Sequence, residues 1–233
     1  MKILRSVAAA FSYFSILPLR SFDRVPGPTA IVALPLVGIF VGSVAGFAAY
    51  AVYVRTHSTL AMAIAGWLLS IALSGAIHVD GFLDCCDGLF AMVTRERRLE
   101  IMRDPHHGTY AICGMMMISV LWIYALTLIE PRMIVAVMMV TALTARTCGS
   151  LPAGPRWGWP MAIVPLALCL TVTGGNWFPA AILAAAIAGT TAAILAFARA
   201  RLGDVRSGDV FGAVIVVTEV TLLLMIPYVS AAR

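Results

Sequence analysis

The feature that most constrains this chain is a series of about seven long apolar runs. A helix needs about 20 mostly apolar residues to cross a hydrocarbon layer ~30 Å thick, because each residue adds ~1.5 Å. These runs are apolar on all sides, unlike the alternating strands of a membrane β-barrel. We therefore predict an all-α fold, a polytopic transmembrane bundle. Its predicted spans are residues 30–54, 60–79, 110–129, 133–151, 159–173, 178–198 and 210–230.

The composition supports a membrane protein with a single domain. Of the 233 residues, 61% are hydrophobic and 12% are charged, whereas soluble domains contain about 25% charged residues. No internal repeat and no low-complexity linker divides the chain. All 233 residues are therefore predicted to form one integral membrane catalytic domain.

The first 19 residues differ from the predicted spans. Lys2 and Arg5 precede Phe11 and Phe14, which are placed at helical spacing, and serines interrupt the apolar run. A signal peptide would have a less diluted apolar core and an A-x-A cleavage site. We therefore predict an N-terminal helix that lies in the membrane interface.

The basic residues predict the orientation. Cytoplasmic loops carry the excess of Lys and Arg, and seven spans with an inside N-terminus place twelve of the 16 there and three outside. This arrangement predicts that the acidic loop faces the cytoplasm. The net charge of +5 lies beside the membrane, which favours anionic lipid and anionic substrates as partners and excludes nucleic acid. The oligomeric state stays open, a homo-oligomer included.

The acidic residues indicate a metal site. Asp80, Asp84 and Asp87 are spaced i, i+4, i+7, which places them within a sector of about 60° on one helix face. Such like charges repel unless a cation joins them, and oxygen ligands favour Mg²⁺, with Mn²⁺ as a substitute. The alternative is a solvated acidic helix end. Asp209 is predicted on the same side of the membrane.

Glu219 is the most unusual single acid. It lies about ten residues into an apolar run, where a carboxylate costs ~2.5–3.5 kcal/mol, so it requires a cation, a proton or an interior partner. Arg146 is either a snorkelling side chain or a phosphate clamp. His78 falls opposite the aspartates on a regular helix, which predicts a buried, hydrogen-bonded histidine, but Gly81 could turn it toward the site.

The order of these motifs resembles the cobalamin synthase family (adenosylcobinamide-GDP ribazoletransferase). The run HVDGFLDCCDGLF at residues 78–90 is the main element of the resemblance. It is followed by the basic run at residues 95–104. Gly108-Thr109 comes next, preceded by His106-His107 where the family has a basic-plus-aliphatic pair. The resemblance also covers the opening FSILP at residues 14–18 and the second Gly-Asp motif SGDVFGA at residues 207–213, with Glu219 beyond it.

This resemblance implies a reaction and a set of roles. A ribose hydroxyl of α-ribazole, or of its 5′-phosphate, attacks adenosylcobinamide-GDP, and GMP leaves. The implied site has the metal ligands Asp80, Asp84, Asp87 and Asp209, with Glu219 or Asp84 as proton acceptor and Asp87 as a further catalytic residue. The substrate-binding candidates are Arg146, Arg103, Asp104, Gly108, Thr109, Ser207, Gly208 and His78.

Other protein classes fit the sequence less well. The CDP-alcohol phosphotransferase pattern fails, because Asp84-Cys85 stands where Ala-Arg is expected after Asp80-Gly81. A cation-coupled transporter would place its acids near the bilayer midplane, often in paired halves. A structural membrane subunit gives no reason for three like charges on one helix face.

Overall fold

The computed structural model describes residues 2–19, 28–150, 167, 169, 170, 173–203 and 207–231, and in these ranges it is built of helices without strands. This confirms the predicted all-α class. The helices are α1 (Lys2–Phe14), α2 (Pro28–Ile31), α3 (Leu34–Thr56), α4 (Thr59–Leu73), α5 (Ile77–Phe90), α6 (Arg95–Ile101), α7 (Thr109–Thr127), α8 (Ile134–Ser150), α9 (Trp177–Leu202) and α10 (Gly208–Ala231). A 3-10 turn at Pro131–Met133 leads into α8.

Within the described ranges, five segments are long and apolar enough to cross a membrane. They are α3, α7, α8 with its preceding 3-10 turn, α9 and α10, and the bent pair of α4 and α5 would make a sixth. The predicted count of seven is therefore not confirmed. The predicted span at residues 159–173 lies largely outside the described residues.

The predicted span at residues 60–79 is wrong as a single straight helix. Helix α4 ends at Leu73. After three further residues α5 begins, and its axis makes an angle of 91° with that of α4. Gly75 and Ala76 both adopt left-handed backbone conformations, with φ of 62° and 58°, and the amide of Ala76 donates to the carbonyl of Ile71 at 2.9 Å. Glycine commonly ends helices in this way. The bend therefore places the aspartate helix across the bundle instead of along α4.

The amphipathic N-terminal segment forms the predicted helix. Ala9 and Ala10 of α1 are buried against Val37 and Val41 of α3, which accounts for the helical spacing of its apolar residues. Phe11 also packs edge-on against Phe40, with ring centroids 5.7 Å apart. The apolar face of α1 therefore packs on protein.

Helices α3 and α8 pack backbone to backbone along a glycine stripe. A methyl group at Gly42 would lie 2.4 Å from the carbonyl oxygen of Met138, and one at Gly38 would lie 2.6 Å from that of Ala142. Small residues four apart allow such close approach of membrane helices. Because α8 carries Arg146, this contact fixes the depth of that residue in the bundle.

Gly42→Ala is expected to destabilise the protein. The added methyl group meets backbone that cannot rotate away, and overpacking of this kind typically costs about 1–3 kcal/mol. Thermal unfolding in detergent would measure the change. The matched control is Gly189→Ala in α9, where nothing lies within 4 Å of the added atom, and this change should leave the unfolding temperature equal or slightly higher. Equal stability of both variants would contradict the tight α3–α8 contact.

Candidate active site

The three aspartates predicted on one helix face lie on one regular helix. Helix α5 runs unbroken from Ile77 to Phe90, so Gly81 does not turn it. The side chain of Asp80 is 62% exposed and that of Asp84 is 17% exposed, while Asp87 is buried. The row of carboxylates therefore runs from solvent into the protein.

The second Gly-Asp motif, at residues 207–213, lies next to the carboxylates of α5 because the two helices approach closely. A methyl group at Gly81 would lie 2.7 Å from the Cα atom of Asp209, so only glycine permits this approach of α5 and the start of α10. Asp84 is subject to the electrostatic influence of Asp80, Asp209 and Asp87. Residues more than 120 positions apart in the sequence thus form one acidic site.

His107 stands between two of these carboxylates. Its Nε2 lies 3.6 Å from Oδ1 of Asp80, and its Nδ1 lies 3.7 Å from Oδ1 of Asp84. Sequence reasoning did not select this residue for the site. The only signal was that His106-His107 replaces the pair expected in this position. The imidazole supplies positive charge, when protonated, at the exposed end of the acidic row.

Asp87 has a structural partner in the next membrane helix. Its Oδ2 accepts a hydrogen bond from the amide of Gly108 at 2.6 Å, and its Oδ1 accepts one from the amide of Ala111 at 3.0 Å. These amides belong to the start of α7, where no backbone partner exists for them, and the carboxylate also complements the helix dipole. Asp87 therefore caps α7 and joins it to α5, with Gly108 close against the carboxylate.

Asp87→Ala is expected to lower the stability of the protein by about 2–3 kcal/mol. The change leaves two amides at the start of α7 without their charged acceptor, and hydrogen bonds to charged groups contribute about 1.5–3 kcal/mol each. Asp87→Asn should fall between the wild type and Asp87→Ala, because the amide keeps one acceptor oxygen. Chemical unfolding in detergent would rank the three proteins. Stability equal to the wild type in Asp87→Ala would contradict the capping role.

The loop candidates lie at the same end of the bundle. Arg103 and Asp104 are exposed between α6 and α7, and Thr109 is exposed as the first residue of α7. The backbone amide and the side chain of His106 donate to Oδ1 of Asp104 at 3.0 and 2.8 Å, and these bonds hold the pKa of Asp104 below its usual value. Asp104 is thus kept as an anion that shapes the loop.

The last helix is capped at its start by Ser207. Ser207 accepts a hydrogen bond from the amide of Val210 at 3.2 Å through its Oγ, which is the usual arrangement of a helix N-cap. Gly208 is exposed and begins α10, with open space where a methyl group would be. The motif residue Asp209 follows within the first turn. Helix α10 therefore starts at the acidic site.

Arg146 and Glu219 form a pair inside the bundle. Nη1 of Arg146 lies 3.7 Å from Oε1 of Glu219, and their side chains are only 3% and 11% exposed. Glu219 lies about 15 Å along α10 from Asp209, by the rise per residue. The interior partner that Glu219 requires is therefore Arg146. The burial of Arg146 contradicts the snorkelling alternative, and the phosphate-clamp alternative stays a prediction.

His78 lies inside the protein, away from the exposed end of the acidic row. It is buried, and its ring is stacked against that of Phe14 with centroids 5.8 Å apart. Its backbone carbonyl oxygen lies 2.8 Å from where a methyl group at Gly212 would be. The prediction of a buried histidine on a regular helix is confirmed, but the predicted hydrogen bond is not found at Nε2, which is buried without a partner among the described residues. The ring links α5 to the N-terminal helix.

Comparison with known proteins identifies the family. The family profile described as cobalamin-5-phosphate synthase matches residues 6–227. The chain belongs to this family. It is 33% identical over 235 residues to the adenosylcobinamide-GDP ribazoletransferase of Deinococcus radiodurans, covering 94% of this chain and 84% of the relative. The protein of the same name from Chlorobium phaeobacteroides is 27% identical over 238 residues, with 93% and 95% covered. No solved structure gives a significant match.

In this cobalamin-5-phosphate synthase family member, Arg98 stabilises the end of α5, the helix that carries the three aspartates. Arg98 is buried, and its Nη1 donates to the carbonyl oxygens of Gly88 and Leu89 at 3.0 and 2.9 Å. These carbonyls end α5 and have no helical partner. The sequence showed Arg98 only as one of several basic residues, so its capping role required the structure.

The carboxylate oxygens at the site of this synthase family member are of the chemical type that binds a hard cation. Asp80, Asp84 and Asp209 bring carboxylate oxygens from two helices that touch at Gly81, and such oxygens are the ligands that Mg²⁺ prefers. In the described parts of the chain, no three His, Cys, Asp or Glu side chains are close enough together to form a ready metal centre. Binding would therefore require rotation of side chains, for which the exposed Asp80 has room.

Proposed function

We propose that this protein is an adenosylcobinamide-GDP ribazoletransferase. It would join adenosylcobinamide-GDP to α-ribazole, or to α-ribazole 5′-phosphate, in the last assembly step of the cobalamin nucleotide loop. The proposal rests on the close contact between the two family motifs, where Gly81 approaches Asp209. This contact gathers carboxylates at one end of a membrane bundle, as transfer of a phosphate group to a hydroxyl requires.

The proposed reaction is one substitution at phosphorus. The ribose hydroxyl oxygen forms a bond to the cobinamide-side phosphorus, the bond from that phosphorus to the bridging oxygen breaks, and GMP leaves with the electron pair. The hydroxyl proton passes to Asp84. We assign this role to Asp84 over Glu219, because Asp84 is partly open to substrate whereas Glu219 faces Arg146 inside the bundle.

Other residues of this chain have supporting roles in the proposal. Asp87 and Gly108 fix the start of α7 beside Asp84. Arg103 and the first turn of α10 after Ser207 supply positive charge and amide donors for phosphate oxygens. Mg²⁺, or Mn²⁺, held by Asp80, Asp84, Asp87 and Asp209, would neutralise charge on the diphosphate. Arg146 and Glu219 hold α8 against α10, and His78 fills the space under the site.

The proposal also includes the cellular position. The apolar helices indicate a membrane protein, and the excess of Lys and Arg near the acidic loop favours the prokaryotic cytoplasmic membrane with the site facing the cytoplasm. The diphosphate of adenosylcobinamide-GDP is anionic, and this substrate would approach from that side. The oligomeric state, a homo-oligomer included, is not specified by the proposal.

The test is reconstitution with defined substrates. Purified protein in lipid nanodiscs is mixed with adenosylcobinamide-GDP, α-ribazole and Mg²⁺, and GMP and the cobamide product are followed by chromatography. We expect the two products in equal amounts, and none after chelation of divalent ions. Absence of cobamide with α-ribazole, with its 5′-phosphate and with ribosides of other bases would refute the assignment.

A further inference from the structure

An apolar groove opens between α5 and α7, on a face of α5 other than the one that carries the aspartates. It encloses about 390 Å³, within the range of ~300–1,000 Å³ for small-molecule sites. Its almost entirely apolar lining includes Phe82 and Cys86 of α5, Met117 and Leu121 of α7, and Val217 of α10. The proposed reaction gives this groove no role.

The groove lies on the surface that the bundle presents to the membrane. Helix α7 is long and apolar enough to cross a membrane, and Met117 and Leu121 in the groove are 66% and 39% exposed. The lining follows α7 from Tyr110 to Leu121, which is about 16 Å by the rise per residue. This length is close to half of a hydrocarbon layer ~30 Å thick. An acyl chain of one leaflet therefore matches the groove in length and polarity.

A row of aromatic rings leads from one end of the groove to a guanidinium group. Phe90 lines the groove at the end of α5, and its ring packs against that of Phe197 in α9 with centroids 5.5 Å apart. The guanidinium carbon of Arg201 lies over the Phe197 ring, 5.4 Å from its centroid. Such cation–π contacts are attractive and orient the arginine. A positive charge therefore lies two ring contacts from the groove.

A second arginine lies at the same end of α9. A methyl group at Gly203 would be 2.5 Å from Cζ of Arg95, so the Arg95 guanidinium lies against the residue that follows α9, two positions after Arg201. Both arginines belong to segments that the excess of Lys and Arg predicts on the cytoplasmic side. Anionic lipid headgroups attract basic residues that lie beside the membrane surface.

The groove and the two arginines together match one class of molecule. An uncharged apolar molecule would leave the arginines without a role, and a free phosphate ion would leave the groove unfilled. An anionic phospholipid has an apolar chain at one end and a negative charge at the other. The groove and the arginines offer complementary surfaces in the same order.

We propose that this surface binds one anionic phospholipid from the leaflet on the side of the acidic loop. One acyl chain lies in the groove between α5 and α7, and the phosphate lies beside Arg201 and Arg95. The inference goes beyond the proposed reaction and does not depend on it, because lipid binding is measured without the substrates.

The test compares two lipids with identical chains. Native mass spectrometry of the purified protein in detergent is recorded with equal concentrations of dioleoyl phosphatidylglycerol, which is anionic, and dioleoyl phosphatidylcholine, which has no net charge. We expect phosphatidylglycerol to be retained at least about fivefold more, since each Lys or Arg near the surface strengthens binding of anionic lipid by about this factor. Glycerol 3-phosphate should not displace it. Equal retention of both lipids, or displacement by glycerol 3-phosphate, would overturn the inference.

Arg201→Gln tests the headgroup contact, and Arg199→Gln is its matched control. Arg199 is exposed on the same helix, two positions away and therefore about 200° around the helix axis. Arg201→Gln should reduce the preference for phosphatidylglycerol about fivefold and leave retention of phosphatidylcholine unchanged. Arg199→Gln should keep the wild-type preference. An undiminished preference in Arg201→Gln would contradict the proposed position of the phosphate.

Met117→Trp tests the chain contact, and Met116→Trp is its matched control. Met116 is 65% exposed on the same helix, but of the two methionines only Met117 lines the groove. Met117→Trp should abolish retention of both lipids, because the indole fills the groove and removes the van der Waals contacts of the chain. Met116→Trp should retain both lipids as the wild type does.

Retention of both lipids by folded Met117→Trp would overturn the acyl-chain site. Thermal unfolding in detergent establishes that each variant is folded. If Met117→Trp does not fold, the comparison of Arg201→Gln with Arg199→Gln decides the inference, because both substitutions lie at the surface end of α9.

Discussion

Asp84→Asn is expected to reduce cobamide formation by at least about a hundredfold while the protein stays folded. Asparagine keeps the shape of the side chain but removes the charge that would accept the hydroxyl proton, and general base catalysis typically contributes 10²–10⁴-fold. The same change removes one proposed oxygen ligand of the divalent cation. Initial rates of GMP release at saturating substrates and Mg²⁺ would measure the loss.

The control for this variant is Glu100→Gln, which also replaces one carboxylate by an amide. Glu100 lies on α6 and is paired with Arg97 at 2.7 Å, with both side chains more than 60% exposed. Such exposed pairs contribute about 0–1 kcal/mol, so its turnover and stability should match those of the wild type. Normal turnover of Asp84→Asn at saturating Mg²⁺ would remove Asp84 from both the base and the metal assignments.

The second large effect is expected on the stability of the protein when the buried pair of Arg146 and Glu219 is changed. Arg146→Met alone and Glu219→Leu alone should each lower the free energy of unfolding by about 3–5 kcal/mol, because each leaves an uncompensated charge inside the protein. The double variant should recover most of this loss, since a buried ion pair can be replaced by apolar side chains of similar volume at little cost. Chemical unfolding in detergent of all four proteins gives the coupling energy.

The exposed pair of Glu130 and Arg132 provides the comparison for this cycle. Nε of Arg132 donates to Oε1 of Glu130 at 2.8 Å, and the side chains of Arg132 and Glu130 are 82% and 54% exposed. Glu130→Leu and Arg132→Met should each change stability by less than about 1 kcal/mol. A double variant of Arg146 and Glu219 as unstable as the single variants would show that their contact is not what stabilises the charges.

Several features of the site could be predicted because they depend on short stretches of sequence. The spacing of Asp80, Asp84 and Asp87 determines their common face wherever α5 forms a helix, since the helical repeat is the same in every fold. The burial of His78 follows from the same geometry.

Other features escaped prediction because they depend on which helices meet. The break after α4 was signalled only by Gly75, which is a weak indication within an apolar run. The positions of His107 and Arg98 depend on how the segment between α5 and α7 folds back on α5. The partner of Glu219 could have been any cation in the bundle until α8 was packed against α10.

The sequence by itself determined that the chain forms apolar membrane helices and that one helix presents three carboxylates on one face. Both follow from the length and periodicity of neighbouring residues and from the cost of exposing backbone polar groups to lipid. Only the tertiary structure decided that Gly81 meets Asp209, that Arg146 faces Glu219, and that Asp87 caps α7. Those contacts join residues far apart in the chain, and the close packing of whole helix surfaces selects them.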